Sequence, residues 1–276
     1  MKPSAALEQS APGGRLWLRR EWGACIRPLG LLEVGAFERW LAAAPSAGAG
    51  RSATALVALA AGGPRVVVRR LQHGGLLGPL LRQHYLSASR SRAELELSAR
   101  LRAAGAPVPE PVFALALRRG LCWTHALATV YEEGAVDALQ FLDSAPDAAR
   151  ILRAAAAIGA AVRRFHDAGG RHPDLHVKNL LLRETRAGAE AIVIDLDRGR
   201  AGAPPALRVR ARELGRLWRS LLKRGVAEAV GERGVAAFLS AYCAGDRELR
   251  EALGRLLPAA RRRAAWHALL YPRNPR

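Results

Sequence analysis

Lysine, cysteine and aromatic residues are all scarce in this chain of 276 residues. The three cysteines, Cys25, Cys122 and Cys243, are scattered without a CxxC pair. That argues against a disulfide framework or a zinc site and fits a reducing compartment. Aromatics make up 5% of the chain and no basic–aromatic motif occurs, so nucleic acid is not an expected partner. Long hydrophobic runs are missing too. The most apolar stretch, Ala53 to Val68, is broken by Gly62-Gly63-Pro64 and reads as two strands with a turn rather than a membrane span. Met1 to Ser10 is polar and no apolar h-region follows, so no secretory signal is expected and the chain reads as cytosolic.

Acidic charge is also short, with 24 Asp and Glu against 43 Lys and Arg, a net charge of +19. Only Lys2, Lys178 and Lys223 are lysines, so the excess is arginine. It has two readings. One is a compositional bias toward Arg and Ala, with most arginines coating the surface. The other is an anionic partner: a phosphorylated ligand, an acidic membrane or nucleic acid. Half the residues are apolar, enough for one large domain or two lobes sharing a cleft.

What the chain does contain is His172-Pro-Asp-Leu-His-Val-Lys-Asn-Leu-Leu-Leu182, followed by Ile192-Val-Ile-Asp-Leu-Asp-Arg198. Asp174 and Asn179 lie five residues apart in a loop that runs into an apolar strand. Asp195 closes a second strand, with Arg186-Ala-Gly188 as the turn between them. Two carboxylates and a carboxamide at strand edges suit phosphoryl transfer. One carboxylate deprotonates a hydroxyl, and the other acts with the amide oxygen to hold Mg²⁺ on ATP phosphates. The protein-kinase template has the same order. A rival reading uses His166, His172, Asp174, His176 and Asp195 as transition-metal ligands.

Earlier features fall into the kinase order. Leu29 to Leu41 has the pattern of a short amphipathic helix. Gly48 and Gly50, in Ser46 to Ser52, form a turn whose backbone N–H groups are placed to approach phosphates. Arg65-Val-Val-Val-Arg-Arg70 reads as a buried strand. Alternation puts Val67 and Arg69 on one face and Arg70 on the other, making Arg69 the candidate for the α/β-phosphates. Gln72 to Pro79 is a glycine-rich loop. Ser91 to Ala104 reads as a helix with Glu94, Leu97 and Leu101 on one face and Glu96 able to pair with Arg100. Glu94 then partners Arg69. Strands follow at Val112 to Leu117 and Leu121 to Val130. Tyr131-Glu-Glu-Gly134 sits where a hinge belongs, Ile151 to His166 is a helix, and residues 207–268 are helical. His172 is read as bracing the loop and His166 as structural.

The expected fold is therefore α+β and two-lobed, protein-kinase-like. An N-terminal antiparallel sheet with one helix (46–134) follows an extension (1–45) and precedes a mostly helical lobe (135–276).

Four stretches carry a resemblance to the lipopolysaccharide kinase family, most of all to its branch acting on 3-deoxy-D-manno-octulosonic acid (Kdo). Val68-Arg-Arg-Leu-Gln-His-Gly-Gly-Leu76 resembles the family's Val-Leu-Arg-His-Tyr-Arg-Arg-Gly-Gly-Leu segment. Glu94 to Pro109 resembles its helix and Gly-x-Pro-Val-Pro turn. Phe165-His and His172 to Leu182 resemble its catalytic loop, and Ile194 to Arg198 its Ile-Asp-Phe-Asp-Arg. The resemblance implies ATP- and Mg²⁺-dependent phosphorylation of the 4-hydroxyl of Kdo on a lipid A precursor. It also implies peripheral attachment to the anionic cytoplasmic face of the inner membrane. By position it makes Asp174 the catalytic base, Asn179 and Asp195 metal ligands, and Arg69 with Glu94 the nucleotide-positioning pair. His176 and Glu213 stand where asparagine is expected. Asp174-Leu-His176 is similar to aminoglycoside- and choline-type phosphotransferases, so heptose or a small hydroxylated acceptor stays open, as does a pseudokinase.

Overall fold

A computed structural model describes residues 6–43, 54–59, 63–72 and 83–270, with side chains as far as Pro258. The chain forms two compact units, one of Met1–Ala103 with Pro109–Glu132, the other of Ala104–Val108 with Glu133–Arg276.

The first unit is built on the hairpin of β5 (Pro111–Arg119) and β6 (Cys122–Val130). Six consecutive residues of β5, Pro111 to Ala116, are buried, so this central strand is covered on both faces. β1 (Leu7–Ala11), β2 (Gly14–Leu18), β3 (Thr54–Ala58) and β4 (Arg65–Arg70) complete an antiparallel sheet in the order β1-β2-β5-β6-β4-β3. No strand is expected before Ala53 from sequence, yet β1 and β2 extend the sheet. The reason lies in β2: Leu16 and Leu18 enter one apolar cluster and Trp17 the other, so both faces are used.

The same alternation sorts β4. Val66 and Val68 pack in the cluster with Phe37 of helix α1 (Ala36–Ala42), and Arg70 pairs with Glu38 of that helix. Arg69, on the opposite face, reaches Glu94 of helix α2 (Arg90–Ala103). The helix expected over Leu29 to Leu41 is shortened to Ala36–Ala42, because Gly30 (φ +56°) and Gly35 (φ +71°) take left-handed conformations and break it. On α2 the buried stripe is Ser91, Glu94, Leu95, Ser98 and Leu101, with Leu97 only half-buried. Glu96 pairs back to Arg92 at 2.8 Å, not forward to Arg100.

His125 of β6 locks α2 to the sheet. Its Nε2–H donates to Ser87 O and its Nδ1 meets Ser91 Oγ, both at 2.9 Å. Burial lowers its pKa to about 4. The unfolded chain therefore binds the extra proton first. The stabilisation is complete above about pH 6.5 and is lost as pH falls toward 4. We expect roughly 2 kcal/mol to be lost between pH 7 and pH 5 through this group. Urea unfolding of His125→Gln should show a shallower pH dependence than the unsubstituted chain, and parallel curves would remove His125 as the cause.

The second unit is mainly helical: α3 (Ala138–Asp143), α4 (Ala148–Asp167), α5 (Leu207–Arg224), α6 (Ala227–Cys243) and α7 (Arg247–Leu270). The Asp137 side chain caps α3 by accepting from the N–H groups of Leu139 and Gln140, and Asp147 caps α4 through Arg150 N–H. Gly159 lets α4 and α6 approach closely, since a Cβ there would stand 2.3 Å from Phe238 O. The helical region 207–268 is interrupted at Gly225 (φ +71°) and Gly245 (φ +83°), and α6 itself is kinked at Gly231 (φ +59°). A small sheet, β10 (Gly188–Val193), β9 (Leu180–Thr185) and β7 (Ala135–Asp137), and a short pair, β8 (Gly170–Arg171) with β11 (Arg200–Ala201), frame the loop of interest. Among the described residues no helix is long and apolar enough to cross a membrane.

Candidate active site

The loop joining β8 to β9 begins from a constrained point. Gly169 closes α4 at φ +85°, and a Cβ there would fall 1.9 Å from Gly202 O, so only glycine serves. His172 follows and is fully buried. Its Nε2–H donates to Ile194 O at 3.1 Å, and its Nδ1 accepts the backbone N–H of Asp174 at 3.3 Å. A carbonyl can only accept and an amide N–H can only donate, so these partners select the neutral Nε2–H tautomer. Burial lowers the His172 pKa, opposed by the bond to Ile194 and the charges of Asp195, Glu213 and Asp174. One ring thus ties the Asp174 backbone to the strand exit just before Asp195.

Asn179 fastens the other side. Its side-chain Nδ2–H donates to Asp174 O at 3.0 Å and its own carbonyl accepts Ile194 N–H at 3.0 Å. That orientation leaves the amide oxygen as an acceptor. Asp195, half-buried, adopts φ +59°, a left-handed conformation that costs a non-glycine residue about 1–2 kcal/mol. It turns the chain out of β10. The Asp174 side chain, by contrast, is 78% exposed, with His176 Nε2 3.6 Å from its Oδ2.

Glu213 of α5 anchors the loop from beneath. Its Oε2 accepts the backbone N–H of His172 and Nε2–H of His166, each at 3.1 Å, and it is 2% exposed. His166 Nδ1 in turn accepts from the Tyr242 hydroxyl at 2.7 Å. Burial pushes the Tyr242 phenol up to about 12, keeping it a donor. Glu213 is visible in the sequence only as a departure from asparagine. Its partners lie 41 and 47 residues away, so nothing local reports its task.

Arg69 and Glu94 meet in the first unit as an ion pair with Glu94 buried. Gly48 and Gly50 lie outside the described residues, as does the glycine-rich loop beyond Gln72. The transition-metal reading fails on the histidines: both ring nitrogens of His166 and of His172 are already engaged. Among the described residues no cluster of three or more His, Cys, Asp or Glu side chains is placed to hold a metal. What remains beside the loop is an oxygen donor set, the Asn179 amide and the Asp195 carboxylate, which fits a hard cation such as Mg²⁺.

Residues 47–242 match the model of the lipopolysaccharide kinase (Kdo/WaaP) family. The chain belongs to that family. The matched span contains Arg69, Glu94, Asp174, Asn179, Asp195 and Glu213. The chain is 37% identical over 166 residues to the 3-deoxy-D-manno-octulosonic acid kinase of Xanthomonas oryzae pv. oryzae (strain PXO99A), covering 58% of this chain and 62% of the relative. It therefore spans less than two thirds of that relative. It is 32% identical over 215 residues to the corresponding kinase of Stenotrophomonas maltophilia (strain K279a), covering 75% and 74%. A solved structure titled WaaP in complex with acyl carrier protein superposes with a TM-score of 0.59 at 22% identity, covering 91% of this chain and 98% of that one. The lipopolysaccharide kinase family thus shares its fold with this chain, an antiparallel sheet followed by a helical part.

Proposed function

We propose that the protein is an ATP- and Mg²⁺-dependent kinase that phosphorylates a sugar hydroxyl of the lipopolysaccharide inner core, the 4-hydroxyl of Kdo on a lipid A precursor. The observation that carries this reading is the open carboxylate of Asp174 on a loop whose backbone is held by His172, Asn179 and Glu213. The acceptor assignment rests on the names of the relatives and on the family match.

In this reading an Asp174 oxygen accepts the hydroxyl proton. The acceptor oxygen bonds to the γ-phosphorus, the bond from that phosphorus to the β,γ-bridging oxygen breaks, and ADP leaves. Asn179 and Asp195 would hold Mg²⁺, which when bound neutralises phosphate charge. Arg69, steadied by Glu94, contacts the α/β-phosphates. The excess of arginine suits an acceptor rich in carboxylate and phosphate on the anionic cytoplasmic face of the inner membrane, where the chain would sit peripherally.

The test is transfer of ³²P from γ-labelled ATP with Mg²⁺ to purified Kdo-bearing lipid A precursor, beside heptosylated and Kdo-free lipids and an aminoglycoside. Label on the Kdo lipid alone is expected. Label on a different acceptor would keep the chemistry and discard the sugar, and binding of Mg·ATP without any transfer would favour a pseudokinase. In the same assay Glu94→Gln should raise KM for ATP about tenfold, equivalent to ~1.4 kcal/mol, by weakening the hold on Arg69. An unchanged KM would take the pair out of nucleotide positioning.

A further inference from the structure

Beside Asp174, within the second unit, lies a pocket of about 290 Å³ walled by Lys178, Arg216, Arg219, Lys223 and Arg224. Its size is at the lower end for ligand sites and suits one sugar unit rather than a lipid. Among the described residues Asp174 is the only carboxylate in the wall. We propose that this pocket binds an acidic group of the acceptor, one carried within a sugar unit of the hydroxyl that faces Asp174. The proposal rests on the kinase reading above and extends it to the residues that select the acceptor.

Four of the cations come from α5 at positions 216, 219, 223 and 224, a spacing of i, i+3, i+7 and i+8 that puts them on one helical face. None of the five side chains makes an ion pair or hydrogen bond among the described residues. Some other arginines of the same unit do meet carboxylates, among them Arg150 with Glu184, Arg183 with Glu190 and Arg210 with Asp167. Like charges three and four residues apart destabilise a helix. Lys223 and Arg224 are offset by their place in the last turn, where cations favour the helix C-terminus. Arg216 and Arg219 stand earlier and gain nothing from it. Both are half-buried and line the pocket, where an anion would offset the mutual repulsion of their charges. Guanidinium groups bind carboxylate and phosphate oxygens bidentately, which fixes orientation as well as charge. Ser220, on the same face, is already committed: its Oγ accepts Val177 N–H at 3.1 Å and donates to Leu217 O at 2.7 Å. That bond holds the floor of the pocket to the loop carrying Asp174.

The experiment compares the full chain with Arg216→Gln/Arg219→Gln, using Kdo-bearing lipid A precursor in neutral detergent, its carboxyl methyl ester and its dephosphorylated form. We expect the double variant to raise acceptor KM at least thirtyfold while KM for ATP stays within twofold. We also expect it to unfold at the same or a higher temperature, because repulsion is relieved; a merely structural role for the arginines would lower that temperature. The unsubstituted chain should lose affinity for either the methyl ester or the dephosphorylated lipid, which names the acidic group, and the double variant should no longer distinguish that form from the parent. Calorimetric binding of the same acceptor without nucleotide provides a readout independent of turnover. If no acceptor is phosphorylated but the double variant still loses binding, the kinase reading falls and the pocket stands. Equal acceptor affinity in the two proteins overturns the pocket. So does an equal loss of binding to anionic phospholipid vesicles lacking the acceptor, which would make the face a general membrane contact. Should the double variant fail to fold, the exposed Lys178→Gln/Lys223→Gln pair is read by the same criteria, with a threshold of threefold.

Discussion

Asp174→Asn is expected to lower kcat for phosphoryl transfer by about a thousandfold, within the range by which a positioned general base accelerates proton transfer. ATP binding and the unfolding midpoint should be unchanged. The structure gives the reason for that separation. The contacts that shape the loop use the Asp174 backbone, its N–H to His172 and its carbonyl to Asn179, whereas the carboxylate projects into solvent. The substitution therefore leaves the scaffold intact and removes only the proton acceptor. Its one ion-pair contact among the described residues, His176 at 3.6 Å, is part-exposed, and an exposed pair of that kind contributes little. Single-turnover kinetics with γ-labelled ATP, beside equilibrium nucleotide binding, measure both quantities. Wild-type turnover in Asp174→Asn would assign the base elsewhere.

Glu213→Ala should destabilise the second unit by roughly 4 kcal/mol, because it strands two buried donors, the His172 backbone N–H and the His166 ring N–H, each at a cost of about 1–3 kcal/mol. Glu213→Gln keeps an acceptor oxygen at the same reach and should cost less than half as much. Denaturant unfolding of both variants gives the comparison. A structural loss should also appear in catalysis, since the freed loop no longer presents Asp174 in a single position. kcat should fall in Glu213→Ala even under conditions where the protein remains folded. Equal stability of the alanine and glutamine variants would mean that the hydrogen bonds do not anchor the loop.

Much of this arrangement could be read from local pattern. Alternation in Arg65 to Arg70 sends Arg69 and Arg70 to opposite faces, and the structure gives each its own glutamate, Glu94 and Glu38. The hairpin of β9 and β10 and the loop before it follow from apolar runs punctuated by a turn. What local pattern missed is equally particular. β2 is short and buried on both faces, and β1 alternates in burial but carries only Leu7 and Ala11 as apolar residues, so neither shows an apolar alternation to find. Glu38 could not be matched to Arg70 from sequence, because 32 residues of chain separate them. Pairing of Glu96 with Arg92 rather than Arg100 was a choice between two equal spacings that only side-chain geometry resolves.

The order of the elements, the loop bearing Asp174 and Asn179, and the strand ending at Asp195 are all legible locally, because periodicity and turn chemistry act over a few residues. Only long-range packing shows that Glu213 and His166 carry the loop, that His172, already legible as a brace, is held in its neutral Nε2–H form, and that four cations of α5 line a pocket with Asp174 and Lys178. Those facts depend on helices brought together from distant parts of the chain, where burial sets protonation and leaves unmatched charge turned toward a pocket.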